Sequence, residues 1–304
     1  MTRSLQSSIS IAMAIYNGAR FLREQLESIC CQTLQPYEVV ISDDGSSDAS
    51  LSIADEFKDR LNIVLVSNKN RHGFVGNFEH AISLCRGDFI ALCDQDDVWQ
   101  DGKLERMIAA IGPHAMVHCD ADVIDANGRR IAASWNAYFG KPIAQDFLQY
   151  LSGWNNVTGG SVLFKRELAS KLLPIPLHMP YHDLWLALIA YRYGGIAVVA
   201  EPLMSYRLHG ANAVGASEPR YPRKIGAEIK RAFFQDLLDN RERLRLSEDE
   251  AAHVEILLSF FLHKLDRRIC FDNFPVAIKY YQWLYRNRRP MIVNLLLSMV
   301  GVNW

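Results

Sequence analysis

Short apolar runs alternate with helical-period stretches through the first two-thirds of the chain. Ser10–Ile15, Glu38–Ser42, Asn62–Ser67 and Asp88–Cys93 are β-rich, while Ala19–Gln32, Leu51–Asp59 and Asn77–Cys85 place apolar residues three and four apart. That alternation predicts βαβ units and a mostly parallel α/β sheet. Further on, the pattern predicts a helix over Trp99–Ile111, a loop and strand over 154–164, and an apolar helix from Tyr181 to Tyr193. A strand over Ile196–Ala200 follows. After Pro219, Pro222 and the basic pair Arg223-Lys224 the pattern becomes long and helical. The expected boundary lies at 215–222, giving a domain over 1–217 and a helical C-terminal region over 218–304.

Composition narrows the class. The 304 residues are 49% hydrophobic and 22% charged, the balance of an ordinary globular chain that buries a core without disulfide or metal staples. A formal charge of −1 excludes a general polyanion binder, and no nucleic-acid partner is expected. The charge is uneven: residues 1–217 carry a net −5 and residues 218–304 a net +4. Met1–Ser8 is polar, and the apolar stretch after it, Ile9–Ile15, is too short for a signal sequence or a membrane span. The expected location is therefore cytoplasmic, soluble or peripheral. The six cysteines form no C-x-x-C pair and read as reduced thiols without a role.

In an open α/β sheet, ligands bind beyond the carboxyl ends of the strands. Four consecutive strand ends here are polar: Tyr16-Asn17-Gly18, then Asp43-Asp44-Gly45-Ser46-Ser47-Asp48, Asn68-Lys69-Asn70-Arg71-His72-Gly73, and Asp94-Gln95-Asp96-Asp97. Asp48 has a plain alternative as a helix cap. The run at 94–97 crowds three carboxylates at the end of the strand Ile90–Cys93, with no Lys or Arg close by in sequence. Like charges so close need a cation or a proton between them, and Mg²⁺ or Mn²⁺ suits one or two carboxylates plus phosphate oxygens. The competing reading is an acidic cap on the helix expected from Trp99. Neither G-x-x-x-x-G-K-[ST] nor G-x-G-x-x-G occurs, which argues against an ATPase and a dinucleotide dehydrogenase.

Taken in order, Ser10-Ile11-Ala12-Met13-Ala14-Ile15-Tyr16-Asn17, Val40-Ile41-Ser42-Asp43-Asp44-Gly45-Ser46-Ser47-Asp48 and Gly87-Asp88-Phe89-Ile90-Ala91-Leu92-Cys93-Asp94-Gln95-Asp96-Asp97-Val98-Trp99 resemble glycosyltransferase family 2. The resemblance spans about 9–215, and Asp-Gln-Asp-Asp-Val-Trp is most similar to bacterial rhamnosyltransferase-like members. It implies a Rossmann-like A-type glycosyltransferase fold with a C-terminal helical extension, and an inverting, metal-dependent transferase using a nucleotide sugar. Tyr16, Asp43 and Asp44 would surround base and ribose, with Arg71 and Gly73 on the same side. Asp94 would face the ribose, Gln95 would belong to the donor site, and Asp96 would hold Mg²⁺ or Mn²⁺ against the diphosphate. Asp97 matches the fourth acid of the motif.

Trp154–Phe164, with the pair Gly159-Gly160 permitting close backbone approach, matches the family's acceptor-side segment. In Tyr181-His182-Asp183, the resemblance makes Asp183 the catalytic base; its plain alternative is an acid in the first turn of a helix. His182 either positions Asp183 or is structural. Ser205-Tyr206-Arg207-Leu208-His209 resembles the segment that closes these sites. There His209 would ligate the metal or touch the diphosphate, and Arg207 would pair with phosphate or with an internal carboxylate.

No Gln-x-x-Arg-Trp motif occurs, so a single transfer per encounter is expected, from a dTDP-L-rhamnose or UDP-hexose donor to a glycan or lipid-linked glycan of a bacterial surface polysaccharide. The alternatives are a sugar-phosphate nucleotidyltransferase and a non-catalytic nucleotide-sugar sensor or scaffold. Residues 273–304 carry four basic side chains and no acid among aromatic and aliphatic residues, which suggests a membrane surface, a partner, or packing on the catalytic domain.

Overall fold

A computed structural model describes residues 7–69, 72–144, 146–210, 212 and 223–265. The expected alternation is present at its start: β1 (Ile9–Ile15), α1 (Leu22–Cys30), β2 (Glu38–Asp43), α2 (Ser50–Glu56), β3 (Ile63–Ser67), α3 (Phe74–Leu84) and β4 (Phe89–Asp94). There follow β5 (Val98–Trp99), α4 (Lys103–Ile111), β6 (Met116–Ile124), β7 (Arg130–Ala132), α5 (Trp135–Tyr138), α6 (Phe147–Leu151), β8 (Val162–Lys165), α7 (Ala169–Leu172), α8 (His182–Arg192) and β9 (Ile196–Arg207). Two longer helices, α9 (Arg223–Asp239) and α10 (Glu248–Leu265), come last.

The chain divides into two compact units. One comprises Met1–Ile143, Asn156–Ile175 and Tyr181–Ala216; the other comprises Ala144–Asn155, Pro176–Pro180 and Ser217–Trp304. Two short segments inside the range read as the first domain thus group with the second unit.

The first unit is built on a nine-stranded sheet in the order β3-β2-β1-β4-β8-β6-β9-β5, with β7 on β6. β3, β2, β1 and β4 are mutually parallel. β8 runs antiparallel to both β4 and β6, while β6 and β9 are parallel. Every residue of β2 and nearly every residue of β1 is buried, as their continuous apolar runs require of strands covered on both faces. The chain leaves β1 toward β2 and β3 on one side, then crosses back to lay β4 on the other. The carboxyl ends of β1 and β4 are therefore adjacent at a topological switch point, where open α/β sheets bind ligands.

Two expected elements differ. The helix read from Trp99 begins at Lys103, after Gly102, because Val98 and Trp99 pair with Ser205 and Met204 of β9. The acid run at 94–97 is therefore not a cap on α4. The strand read over Ile196–Ala200 continues to Arg207, which puts Ser205, Tyr206 and Arg207 in the sheet.

His118, on β6 between β8 and β9, is enclosed, and its Nε2 has no hydrogen-bond partner. Burial pulls its imidazole down to about 4, against opposing contributions from the Cys119 backbone and Asp120. An unfolded histidine titrates near 6.5, so this contribution to stability is whole above about pH 6.5 and falls away as the pH drops toward 4. The loss expected is on the order of 3 kcal/mol. Thermal melts from pH 4 to 7 should show a shallower pH dependence for His118→Leu than for the wild type; parallel curves would refute the assignment.

In the second unit, Asp146 caps α6 by accepting the Gln149 N–H at 2.9 Å. Asp236 of α9 accepts the His178 N–H at 2.7 Å. Ser247 and Glu250 form a reciprocal capping box at the start of α10. Among the described residues no helix is long and apolar enough to cross a membrane. Cys30, Cys31, Cys85, Cys93 and Cys119 are free thiols; Cys270 and the segment 273–304 lie outside the described residues.

Candidate active site

The ends of β1, β2 and β4 are tied together by their own polar side chains. The Gln95 amide accepts the Tyr16 N–H at 2.9 Å and donates to the Tyr16 carbonyl at 3.1 Å, across the β1–β4 switch point. Asn77 of α3 is buried and donates to the carbonyls of both Ile15 and Ser42. Asp48 accepts the N–H groups of Ala19 and Ser50, both at 3.0 Å, fastening the loop after β1 to the start of α2. The N-cap position of α2 is Ala49, so Asp48 serves as a tie between the two loops.

Asp43 is buried and accepts the N–H groups of Gly45 and Ser46, which fixes the turn after β2. Asp44 binds the next loop, taking hydrogen bonds from Asn68 Nδ2 at 3.2 Å and the Gly73 N–H at 2.7 Å. His72 Nδ1 lies 2.8 Å from the same carboxylate. Tyr16 is more than half exposed beside this group. Arg71 lies outside the described residues.

The acid run leaves β4 and meets three separate segments. Asp94 Oδ2 accepts the Gly160 N–H at 3.0 Å. Asp97 is buried; its Oδ1 accepts the Arg207 N–H at 3.1 Å, and its Oδ2 has no partner. Asp96 Oδ2 lies 2.7 Å from His209 Nε2, whose ring packs at a tilt on Phe21 with centroids 4.7 Å apart. Burial first, and then the charges of Asp96 and Asp183, raise Asp94 above the usual carboxylate range. Burial, then Asp96 and Asp94, do the same to Asp97. Asp183, in the first turn of α8, accepts the Leu184 N–H at 2.7 Å, and its charge acts on Asp94 and on Tyr206. The four acids named in sequence thus share one electrostatic neighbourhood.

The cluster closes around the Gly159-Gly160 turn. A Cβ on Gly160 would stand 2.9 Å from Asp97 Oδ2 and 3.1 Å from Asp94 Oδ2. One on Gly159 would stand 2.6 Å from His182 Nε2. Only glycine allows the backbone so near these groups. His182 is buried, stacks on Phe78 at 4.0 Å, and has no partner on either ring nitrogen; burial alone pulls its imidazole down to about 3. It is a neutral ring and no hydrogen bond joins it to Asp183.

Arg207 takes the internal pairing of its two alternatives. It is buried, with Nη2 2.6 Å from Glu24 Oε2 and Nε donating to the Asp96 carbonyl at 2.8 Å, so its guanidinium braces the acid run from behind. The cluster also holds a lysine that sequence spacing does not reveal. Lys103, at the start of α4, is buried, donates to the Gly160 carbonyl and sits 3.7 Å from the centre of the Trp99 ring. Asn77 likewise escaped notice; the only signal for either is a polar residue on the buried stripe of a helix.

Among the described residues no three His, Cys, Asp or Glu side chains form a metal site by themselves. The donor set does fit a shared cation: one carboxylate and one imidazole are already adjacent at Asp96 and His209, and Asp97 Oδ2 is an orphaned acceptor beside them in sequence. Mg²⁺ and Mn²⁺ commonly bind through one or two protein ligands and complete their shell with phosphate oxygens.

Known proteins resemble this chain in sequence and in fold. An uncharacterized glycosyltransferase of Nostoc sp. is 28% identical over 245 residues, covering 76% of this chain and 75% of its own. The glycosyltransferase GlyG of Streptococcus pneumoniae is 31% identical over 140 residues, 46% of this chain and 45% of GlyG. Among solved structures, S. aureus TarS 1-349 in complex with UDP-GlcNAc superposes with a TM-score of 0.61 at 17% identity, covering 96% of this chain and 81% of that one. The mannosyltransferase PcManGT of Pyrobaculum calidifontis, in complex with GDP-Man and Mn²⁺, gives a TM-score of 0.53 at 16% identity over 98% of this chain and 86% of that one. At these identities the likeness establishes the fold, which is the A-type architecture expected from the motifs. The model of glycosyl transferase family 2 matches residues 10–173, more than half the chain and the stretch that carries the acid run and the glycine turn, and this protein belongs to that family.

Proposed function

We propose that this glycosyltransferase moves one sugar, with inversion, from a nucleoside diphosphate donor to a hydroxyl of a glycan in bacterial surface polysaccharide synthesis. The observation that carries the reading is the closeness of Asp94 and Asp97 to Gly160 beside the switch point, with the Asp96–His209 pair in the same run and the charge of Asp183 acting on Asp94. A nucleotide-binding sensor has no use for the fifth group, a base. A deoxyhexose such as L-rhamnose on dTDP is the donor favoured by the Asp-Gln-Asp-Asp-Val-Trp run, with UDP-hexoses next.

In this reading the exposed Tyr16 ring packs on the base, and Asp43, Asp44 and Gly73 shape the nucleoside pocket with Arg71. Asp94 faces the ribose, and Gln95 holds the pocket through the Tyr16 backbone. Asp96 and His209 hold the cation, which when bound supplies charge neutralisation at the departing diphosphate. Asp183 takes the proton of the acceptor hydroxyl as that oxygen bonds to the anomeric carbon. The bond from that carbon to the diphosphate breaks on the opposite face, which inverts the configuration.

Donor hydrolysis over a panel of nucleotide sugars, with and without Mn²⁺, tests the donor class directly. Asp96→Asn is expected to weaken Mn²⁺-dependent nucleotide binding tenfold or more with the fold intact. Calorimetry giving equal nucleotide affinity in EDTA and in Mn²⁺ would remove the cation from the scheme.

The segment 273–304 is proposed to dock a cytoplasmic enzyme on an anionic membrane surface that carries the lipid-linked acceptor. The full-length protein should sediment with phosphatidylglycerol vesicles at low salt and less at high salt. Absence of binding at low salt would end this part of the proposal.

A further inference from the structure

Lys103 is a buried lysine on which the charges of Asp97 and Asp94 act, and the scheme above leaves it without a task. It is fully buried in the first turn of α4. Its Nζ donates to the Gly160 carbonyl, lies 3.6 Å from Met204 Sδ, and stands 3.7 Å from the Trp99 ring centre. Burial pulls the ammonium down from its ordinary range, while Cys119, Cys93, Asp97 and Asp94 push it back up, and an indole face and a carbonyl both favour the charged form. On the other side of the same residue, the Gly160 N–H donates to Asp94. Gly160 is therefore clamped from both sides, by a cation on its carbonyl and an acid on its amide.

Its place also bears on the cation. Lys103 acts electrostatically on both Asp94 and Asp97, the neighbours of Asp96 in the run. A fixed positive charge in a water-poor interior repels a second cation much more strongly than it would in water. A buried apolar residue of the same length would fill the space over Trp99 just as well, so packing alone does not call for a lysine here.

We propose that Lys103 is a positioning residue of the donor site. It clamps the Gly159-Gly160 turn against Asp94, and its charge holds down the affinity of the acid cluster for a divalent cation until the donor diphosphate adds its own negative charge. The cation and the donor then enter together, and the cluster does not trap free metal. The inference rests on the donor-site reading given above.

Mn²⁺ binding to the full-length protein without nucleotide, followed by electron paramagnetic resonance, separates this role from a structural one. Lys103→Met leaves an unbranched side chain one atom shorter and loses both charge and clamp; Mn²⁺ affinity should rise at least threefold while donor hydrolysis falls at least tenfold. Lys103→Gln loses the charge but keeps an N–H for the Gly160 carbonyl; it should tighten Mn²⁺ equally and retain more turnover than the methionine variant. It also serves if the methionine variant does not fold. Unchanged or weaker Mn²⁺ binding in a folded charge-free variant would overturn the inference. Asp96→Asn is the control: if it weakens Mn²⁺ while the Lys103 variants leave it unchanged, the role of Lys103 alone falls. If Asp96→Asn has no effect on Mn²⁺, the metal reading falls and takes this inference with it.

Discussion

Asp183→Asn is expected to lower turnover by roughly a hundredfold or more while leaving donor affinity close to that of the wild type. The substitution is nearly isosteric, and the amide oxygen can still accept the Leu184 N–H, so α8 keeps its first turn. What it removes is a group able to take a proton from the acceptor hydroxyl. It also removes one of the charges that raise Asp94. Steady-state kinetics on acceptor and calorimetry on donor check the two halves separately. Near-normal turnover in a folded variant would reassign Asp183 to the plain role of an acid at a helix start.

The second large effect belongs to a residue with no functional group. Gly159→Ala would put a methyl 2.6 Å from His182 Nε2, closer than carbon and nitrogen approach without a bond. The imidazole has little room to retreat, because it stacks on Phe78 at 4.0 Å and meets Phe74 edge-on. Either the glycine turn or the start of α8 must shift, and each carries a member of the site: Gly160 on Asp94, or Asp183 itself. Overpacking of this kind costs about 1–3 kcal/mol. A displacement near 1 Å at reacting groups can cost about a hundredfold in rate. The double variant Gly159→Ala with His182→Ala relieves the clash and should recover activity relative to Gly159→Ala alone. No recovery would show that the glycine serves some end other than making room for that ring.

The sequence carried the first half of the molecule well. Apolar period and helical period alternate cleanly from Ile9 to Cys93, and the strands and helices lie within a few residues of where that pattern puts them. The reason is local: a strand buried on both faces must be apolar throughout, and its covering helix must be apolar every third or fourth residue. The polar strand ends were legible for the same reason, since they interrupt runs that leave no other place for charge. The order of three motifs then sufficed to name the family that the match over 10–173 establishes.

What the sequence could not contain is the pairing of distant segments. Val98-Trp99 reads as the start of a helix until Met204 and Ser205 are beside it, because a two-residue strand has no period of its own. That pairing brings Arg207 and His209 to the acid run, more than a hundred residues away, and divides their tasks. Arg207 turns back to Glu24 and the Asp96 carbonyl, while His209 meets the Asp96 carboxylate. Lys103 shows the same limit from the other side. In sequence it is a lysine on a helix, six residues past Asp97, and a lysine there is ordinarily solvated. Only the fold, by bringing β9 and the Gly160 turn against it, buries it where the charges of Asp97 and Asp94 act on it. Local pattern fixes which residues must be inside; which charge meets which is decided by chain segments that come together only when the sheet closes.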